Sequence, residues 1–215
     1  MTSQNTGFSA PDHGFHFVNA FDFSFNFALP FLPPVDVGKI LYGLCGGMCF
    51  GALDYFHAGR PIPGQTNAPA DSTPLYLYLV ERQLASLALP QVPLQVMAWM
   101  LMDDERVWSL TVETEFPKLR ASIDAQQPAV LALIRAKGAS DPTRNHQVVG
   151  LAYDLDEPSQ TVKIGLYDPN QPGQAPSLTL NLRRPFAEPG LTETSDVPAR
   201  GFFVLNYQPN LPPGN

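Results

Sequence analysis

The chain has 215 residues, 44% of them hydrophobic, enough to bury a substantial core as one large domain or two small lobes. Its 20 acidic and 13 basic residues give a formal charge of -7 with no basic run to neutralise a string of phosphates, which argues against a nucleic-acid partner. No stretch of roughly 18 apolar residues predicts a transmembrane segment, two cysteines do not make a disulfide framework, and 23 prolines with 16 glycines are scattered between apolar segments as turns.

In chain order, MTSQNTGFSAPDHG lacks the basic start and apolar stretch of a signal peptide. The expectation is a soluble protein, cytoplasmic or exported by a route that needs no signal peptide. In FHFVNAFDFSFNF, positions 15, 17, 21, 23, 25 and 27 are Phe, with Asn19 completing the odd set, while the even set is mostly small or polar. That alternation predicts a period-2 strand with one aromatic face. Residues 1–37 are therefore expected to be an N-terminal arm whose phenylalanines pack onto the core; the alternative is an aromatic face that docks on a protein partner or lipid. The polar face carries no basic residue, which argues against an anionic membrane.

The segment YGLCGGMCFGALDYF, residues 42–56, places Cys45, Met48, Cys49, Ala52, Leu53 and Phe56 on one face of a 3.6-period helix. Gly43, Gly46 and Gly47 are poor helix interior but suit a sharp turn and close backbone approach, so the helix is expected to begin near Cys45. At that first turn the free N–H groups and the positive end of the dipole favour a thiolate. Cys49 lies a turn deeper, where cysteine behaves as a small apolar residue. Within one helix the two sulfurs have poor geometry for a disulfide. His13, His16, His57 and His146 show no ligand spacing with them, so no metal or organic cofactor is expected.

Helical signals continue from residue 72 to 125. Ser72-Thr73-Pro74 caps LYLYLVERQLASL, LQVMAWMLM follows, and residues 116–125 are amphipathic. Then the period changes to 2. AVLALI (129–134), HQVVGLAY (146–153), TVKIGLY (161–167), SLTLNL (177–182) and RGFFVLNY (200–207) are short β-rich runs bounded by turn residues. Helices first and strands later is an α+β order with an antiparallel sheet. HQVVGLAY and TVKIGLY are joined by DLDEPSQ and read as a hairpin. Pairing Tyr153 with Val162 places His146 opposite Pro169 and next to Asp168, with Asn170 beyond it, opposite Asn145. An imidazole and a carboxylate then meet at the open end of the hairpin, as an activated thiol requires.

The order of a Cys-Gly helix, a helical part, a His-strand and an Asp-strand, carried by LCGGMCF, NHQVVGLAYD and IGLYDPN, resembles the papain-like cysteine peptidases, and most closely their C39-like bacterial branch. The resemblance covers residues 38–207 in layout, leaving 208–215 as a C-terminal tail. It implies a papain-like fold with Cys45 as nucleophile, His146 as general base then acid, Asp168 orienting the imidazole, and a peptide or protein as substrate. Cys49 competes for the nucleophile's role, because Gly-Met-Cys-Phe also looks like the small-residue, Cys, aromatic run of papain; Gly46 following Cys45 favours Cys45. The family's oxyanion-hole glutamine stands about six residues before the nucleophile, yet Lys39 occupies that position for Cys45 and Gly43 for Cys49. The oxyanion donors left are the Cys45 backbone N–H and a side chain, for which Asn19 is the candidate. A thiol amidase, an acyltransferase, and an inactive binding module using the Phe-rich arm are the alternative functions.

Overall fold

A computed structural model describes residues 1–21, 43–194 and 198–214. Thr2–Asn5 form strand β1 and Ala10–His13 a single helical turn, α1. The helical part comprises α2 (Cys45–His57), α3 (Pro74–Leu87), α4 (Gln91–Leu101), α5 (Asp104–Leu110), a π-helical turn (Thr111–Glu115) and α6 (Phe116–Asp124). The strands β2 (Ala129–Ile134), β3 (His146–Asp156), β4 (Thr161–Tyr167), β5 (Ser177–Asn181), β6 (Leu191–Glu193) and β7 (Gly201–Val204) follow. The fold class is α+β. Among the described residues no single helix is long and apolar enough to cross a membrane.

Local chemistry accounts for the helix starts. The Thr73 hydroxyl accepts from the Tyr76 N–H at 3.3 Å and Pro74 occupies the first helical position, so α3 begins where the sequence predicts. Asp103 caps α5 by accepting from the Arg106 N–H at 2.7 Å, with Asp104 and Glu105 in the first turn.

Every sheet pairing is antiparallel, in the order β6-β5-β4-β3-β2-β7. The long strand β3 is shared along one edge: β2 pairs its first half, from His146 to Gly150, and β1 pairs Ala152 to Leu155. Strand β2 is apolar throughout because it is buried on both faces. Val130, Ala132 and Ile134 join the core cluster of α2 and α4, with Met48, Leu53 and Trp99; Leu131 and Leu133 join the cluster of Trp108, Leu119 and Ile123. The sheet thus separates two cores, and α2 lies against one of them beside β3.

Three expectations are corrected. First, α2 is not striped: every residue from Cys45 to Tyr55 is buried, because α3 covers the face that the 3.6-residue pattern leaves free. Second, the aromatic arm is not a strand in its described part. Phe15, Phe17 and Phe21 are buried in the α2 core while Val18 is exposed, so the burial pattern is kept by an irregular segment that bends at residues 16–17 and turns at Ala20, whose N–H donates to Val18 O at 2.8 Å. Phe23, Phe25 and Phe27 lie outside the described residues. Third, Tyr153 pairs with Ile164, and Val162 pairs with Leu155. The connection is shorter than expected, only residues 157–160, so the strands run on to the Asp156–Thr161 pair. A bulge at Leu151 then shifts the register again, and the ladder ends at Val149–Tyr167. The Leu151 carbonyl accepts from the Thr6 N–H at 3.1 Å and hydroxyl at 3.0 Å.

Candidate active site

The N-terminus of α2 leaves several backbone N–H groups without an intrahelical acceptor, as every helix does. Each can be traced. Leu44 N–H donates to Asn19 Oδ1 at 2.7 Å. Gly46 N–H is directed at the Cys45 sulfur. Gly47 N–H donates to Gln83 Oε1 at 2.8 Å, and Met48 N–H closes the first turn on Leu44 O at 2.8 Å. Cys45 N–H has no acceptor among the described residues.

Glycine is needed at three positions for this arrangement. Gly43 has φ of +82° and a Cβ there would come within 2.6 Å of the Asn19 carboxamide, so a side chain would both strain the backbone and displace Asn19. At Gly47 a Cβ would fall on the Leu79 carbonyl, and at Gly46 on the side chains of Ser86 and Gln147. The pair Gly46-Gly47 therefore lets α3 and the start of β3 close on the helix end that carries Cys45. The close approach that the sequence predicts from these glycines is made by α3.

Asp168 follows the end of β4 and turns the chain: its carbonyl accepts from Gln171 N–H at 2.9 Å and its Oδ1 from Asn170 N–H at 2.8 Å. The same Oδ1 lies 2.7 Å from His146 Nε2, both side chains being buried. The two meet beyond the end of the ladder, so their contact survives the register correction. With Nε2 on the carboxylate, Nδ1 is the ring nitrogen left for the hydrogen bond between imidazole and Cys45 thiol. His146 is fixed from behind by Asn145. That carboxamide accepts from the N–H groups of Arg135 at 3.0 Å and Ala136 at 3.1 Å, and donates to Pro142 O at 3.0 Å and Met100 Sδ at 3.3 Å.

The electrostatics of the three groups are mutual. Burial raises the Cys45 thiol, but the hydrogen bond and charge of His146, with the backbone N–H groups of Gln147 and Gly46, hold it below its ordinary value. Burial disfavours the imidazolium, yet the charge and hydrogen bond of Asp168, then those of Cys45, raise His146 to about 9. Burial also raises Asp168, but the charge and hydrogen bond of His146, with the Asn170 N–H and the Arg135 charge, together outweigh it, so the carboxyl is held low. Cys49 differs. It is fully buried, its thiol donates to Gln147 O at 3.4 Å, and burial, with the neighbouring Cys45 and Asp168 charges, pushes it well above the usual thiol range. Of the two sulfurs, only Cys45 is held below the ordinary thiol value, and it is the one that lines a cavity.

That cavity is shared by Cys45, His146, Gln147, Asn145 and Gln83, with Leu87, Val92 and Val96 as an apolar wall. The sequence-predicted residues Cys45, His146 and Asp168 are thus brought together. Asn19, expected as an oxyanion donor, is placed elsewhere. Its Oδ1 is taken by Leu44 N–H, its Nδ2 donates to Asn170 Oδ1 at 3.1 Å, and its backbone N–H donates to Pro169 O at 3.0 Å. It ties the start of the Cys45 helix to the Asp168 loop. Asn170, expected to lie opposite Asn145 without a role, is corrected by the same contacts: its N–H supports the carboxylate and its side chain receives Asn19. Lys39 lies outside the described residues. Gln83 and Gln147 are missed by sequence reasoning, since neither stands near Cys45 along the chain. Among the described residues no group of three or more His, Cys, Asp or Glu is arranged to hold a metal ion.

Comparison of the chain with protein-family models, with curated proteins and with solved structures finds no match.

The carboxylate can be tested apart from any activity. In Asp168→Asn the acceptor oxygen remains but the charge is lost, so the His146 titration followed by imidazole NMR is expected to fall from about 9 while the fold is kept. Asp168→Ala removes the hydrogen bond as well and should lower it further. An unchanged midpoint would show that Asp168 does not act on His146.

Proposed function

We propose that this chain is a thiol hydrolase of papain-like layout that cleaves a peptide or amide bond through Cys45, His146 and Asp168. The observation that carries the reading is the buried chain of three groups: a thiol lowered by an imidazole, which is itself raised by a carboxylate at 2.7 Å. A structural histidine needs one partner. This one has a carboxylate on one side and a cavity-lining thiol at a helix N-terminus on the other, the arrangement that activates a nucleophile.

In this reading the Cys45 thiolate attacks the carbonyl carbon, and the C=O electron pair moves onto oxygen. Collapse of the tetrahedral adduct re-forms C=O and breaks the C–N bond while His146 gives its proton to the leaving amine. Water then attacks the thioester, His146 takes the water's proton, and collapse returns the thiolate and releases the acid. Asp168 holds the Nε2 side of the ring throughout, so Nδ1 stays directed at sulfur and substrate. The apolar wall of Leu87, Val92 and Val96 suits an uncharged acyl portion.

Alkylation by iodoacetamide near pH 6, read by peptide mass spectrometry, tests the reading. Cys45 is expected to be modified at least ~10² times faster than Cys49, since one thiol is held low at a cavity and the other is buried and raised. Equal, slow labelling of both sulfurs would remove the basis of the proposal.

A further inference from the structure

Three carboxamide side chains line the cavity that contains Cys45: Gln83, Asn145 and Gln147. They are not equivalent. Asn145 uses its oxygen twice and its nitrogen twice in the bonds that fix the chain before His146, so it has nothing left to offer a ligand. Among the described residues Gln147 has its Oε1 buried without a donor, packed over Gly46, and no bond to them fixes which end of its amide faces the cavity.

Gln83 is different on each count. It is 1% exposed, and its Oε1 accepts the Gly47 N–H at 2.8 Å. That donor can only meet the oxygen, so the amide orientation is determined and Nε2 is the free end. Its two N–H bonds have no partner among the described residues, on a side chain that lines the same cavity as the nucleophile. A second donor is also unused there. The Cys45 N–H has no acceptor among the described residues, and it lies in the first turn of α2, where the helix dipole favours negative charge. A buried N–H left without an acceptor is costly unless a ligand supplies one.

We infer that Gln83 Nε2 and the Cys45 backbone N–H form an oxyanion-binding pair, with Gln83 a catalytic residue supplied by the second helix of the domain. The inference rests on the hydrolase reading and completes it, because it gives the negative oxygen formed by thiolate attack two donors from separate elements. It also accounts for the absence of a glutamine upstream of Cys45: the carboxamide arrives from α3, held by the backbone of the residue two after the nucleophile.

The test compares two reactions of the same sulfur. Iodoacetamide is attacked at a tetrahedral carbon and iodide leaves, with no charge built on an oxygen. With p-nitrophenyl acetate the thiolate adds to the carbonyl carbon, the electron pair goes onto the carbonyl oxygen, and collapse expels p-nitrophenolate to leave acetyl-Cys45. The ratio of the acetylation to the alkylation rate constant at one pH therefore isolates the oxyanion and cancels differences in thiolate fraction. In Gln83→Ala this ratio is expected to fall by about 10². Gln83→Glu keeps an oxygen for the Gly47 N–H but puts an acceptor in place of the donor. It should show at least the same loss, and it is the variant to read if Gln83→Ala does not fold. A ratio unchanged in a folded variant overturns the inference and leaves the Cys45–His146 reading standing, as does a wild-type chain alkylated at Cys45 but never acetylated there. A wild-type chain whose Cys45 iodoacetamide does not modify overturns both.

Discussion

His146→Ala should slow alkylation of Cys45 at pH 6 by about 10² or more and move its pH profile into the alkaline range. The direction follows from the opposing effects on the thiol. Burial raises it, and what brings it below its ordinary value is chiefly the hydrogen bond and charge of His146. Removing the imidazole leaves burial opposed only by two backbone N–H groups. In the wild type, alkylation needs the thiolate alone, so its rate should rise with pH through the depressed thiol value and then stay level. Acyl transfer from an amide needs the imidazolium as well, to protonate the leaving amine, and should fall again as His146 deprotonates at about 9. A bell-shaped profile for an acyl p-nitroanilide, whose leaving amine must be protonated, beside a single-limbed one for iodoacetamide is therefore the expected pair of curves. Two identical single-limbed curves would mean that the imidazole donates no proton in the reaction.

The same groups predict how stability follows pH. A histidine raised in the folded state contributes stability fully present below its unfolded value of roughly 6.5 and lost as pH rises through about 9. A lowered thiol does the reverse: its contribution is present above the ordinary thiol value and is lost as pH falls through the folded one. Between the unfolded histidine's value of roughly 6.5 and the ordinary thiol value of roughly 8.5, the raised histidine keeps a proton that the unfolded chain has lost and the lowered thiol gives up one that the unfolded chain keeps, so the two contributions oppose each other. Cys45→Ser removes the thiolate's half. Its melting temperature should then decline more steeply above roughly pH 6.5 than the wild type's, a difference measurable by calorimetry.

Much of this site was legible before any coordinates. The change of period from 3.6 to 2 near residue 129 separates helices from strands, and the strands at 129–134 and 161–167 fall where the apolar runs stand. Cys45 opens its helix because the glycines before and after it suit a turn and close packing. The hairpin brings His146 to Asp168 despite the wrong register, since the Asp168–Gln171 turn, not the ladder, sets the final approach. Contacts without a local pattern were not legible. Strand β1 is too short and polar to signal itself, and its partner lies about 150 residues away, where a one-residue bulge opens the carbonyl that Thr6 takes. Gln83 is an ordinary helix residue by propensity; only the α2–α3 packing turns its amide to the Gly47 N–H. Asn19 was singled out from the sequence, but its use, bridging Leu44 and Asn170, depends on two loops whose separation no periodicity encodes.

Asp54→Ala should cost about 3–5 kcal/mol of folding stability, more than any surface substitution, because it strands a buried cation. Asp54 sits in α2 with its side chain out of solvent, and Arg82 of α3 approaches it at 2.6 Å, itself almost fully buried. The carboxylate also accepts from the Tyr78 hydroxyl at 2.5 Å, the Tyr207 hydroxyl at 2.6 Å and the Asn210 N–H at 2.8 Å. Arg82 Nη2 reaches on to Gln208 O at 2.7 Å, so this network fastens the C-terminal tail over the junction of α2 and α3. Burial and then the Asp54 carboxylate raise both phenols far above the usual range, and neither should ionise while the fold holds. Replacing the pair together, as Asp54→Leu with Arg82→Met, removes both charges and should cost clearly less than the single change in a chemical denaturation series, since no cation is left without its counter-charge. A double variant as unstable as Asp54→Ala would instead assign the stability to the tyrosine and tail bonds that both variants lose. Arg82 precedes Gln83 in α3, so the same series bears on the site: loosening α3 from α2 withdraws the amide from the Gly47 N–H. Asp54→Ala at a temperature where it remains folded should therefore depress Cys45 acetylation more than Cys45 alkylation.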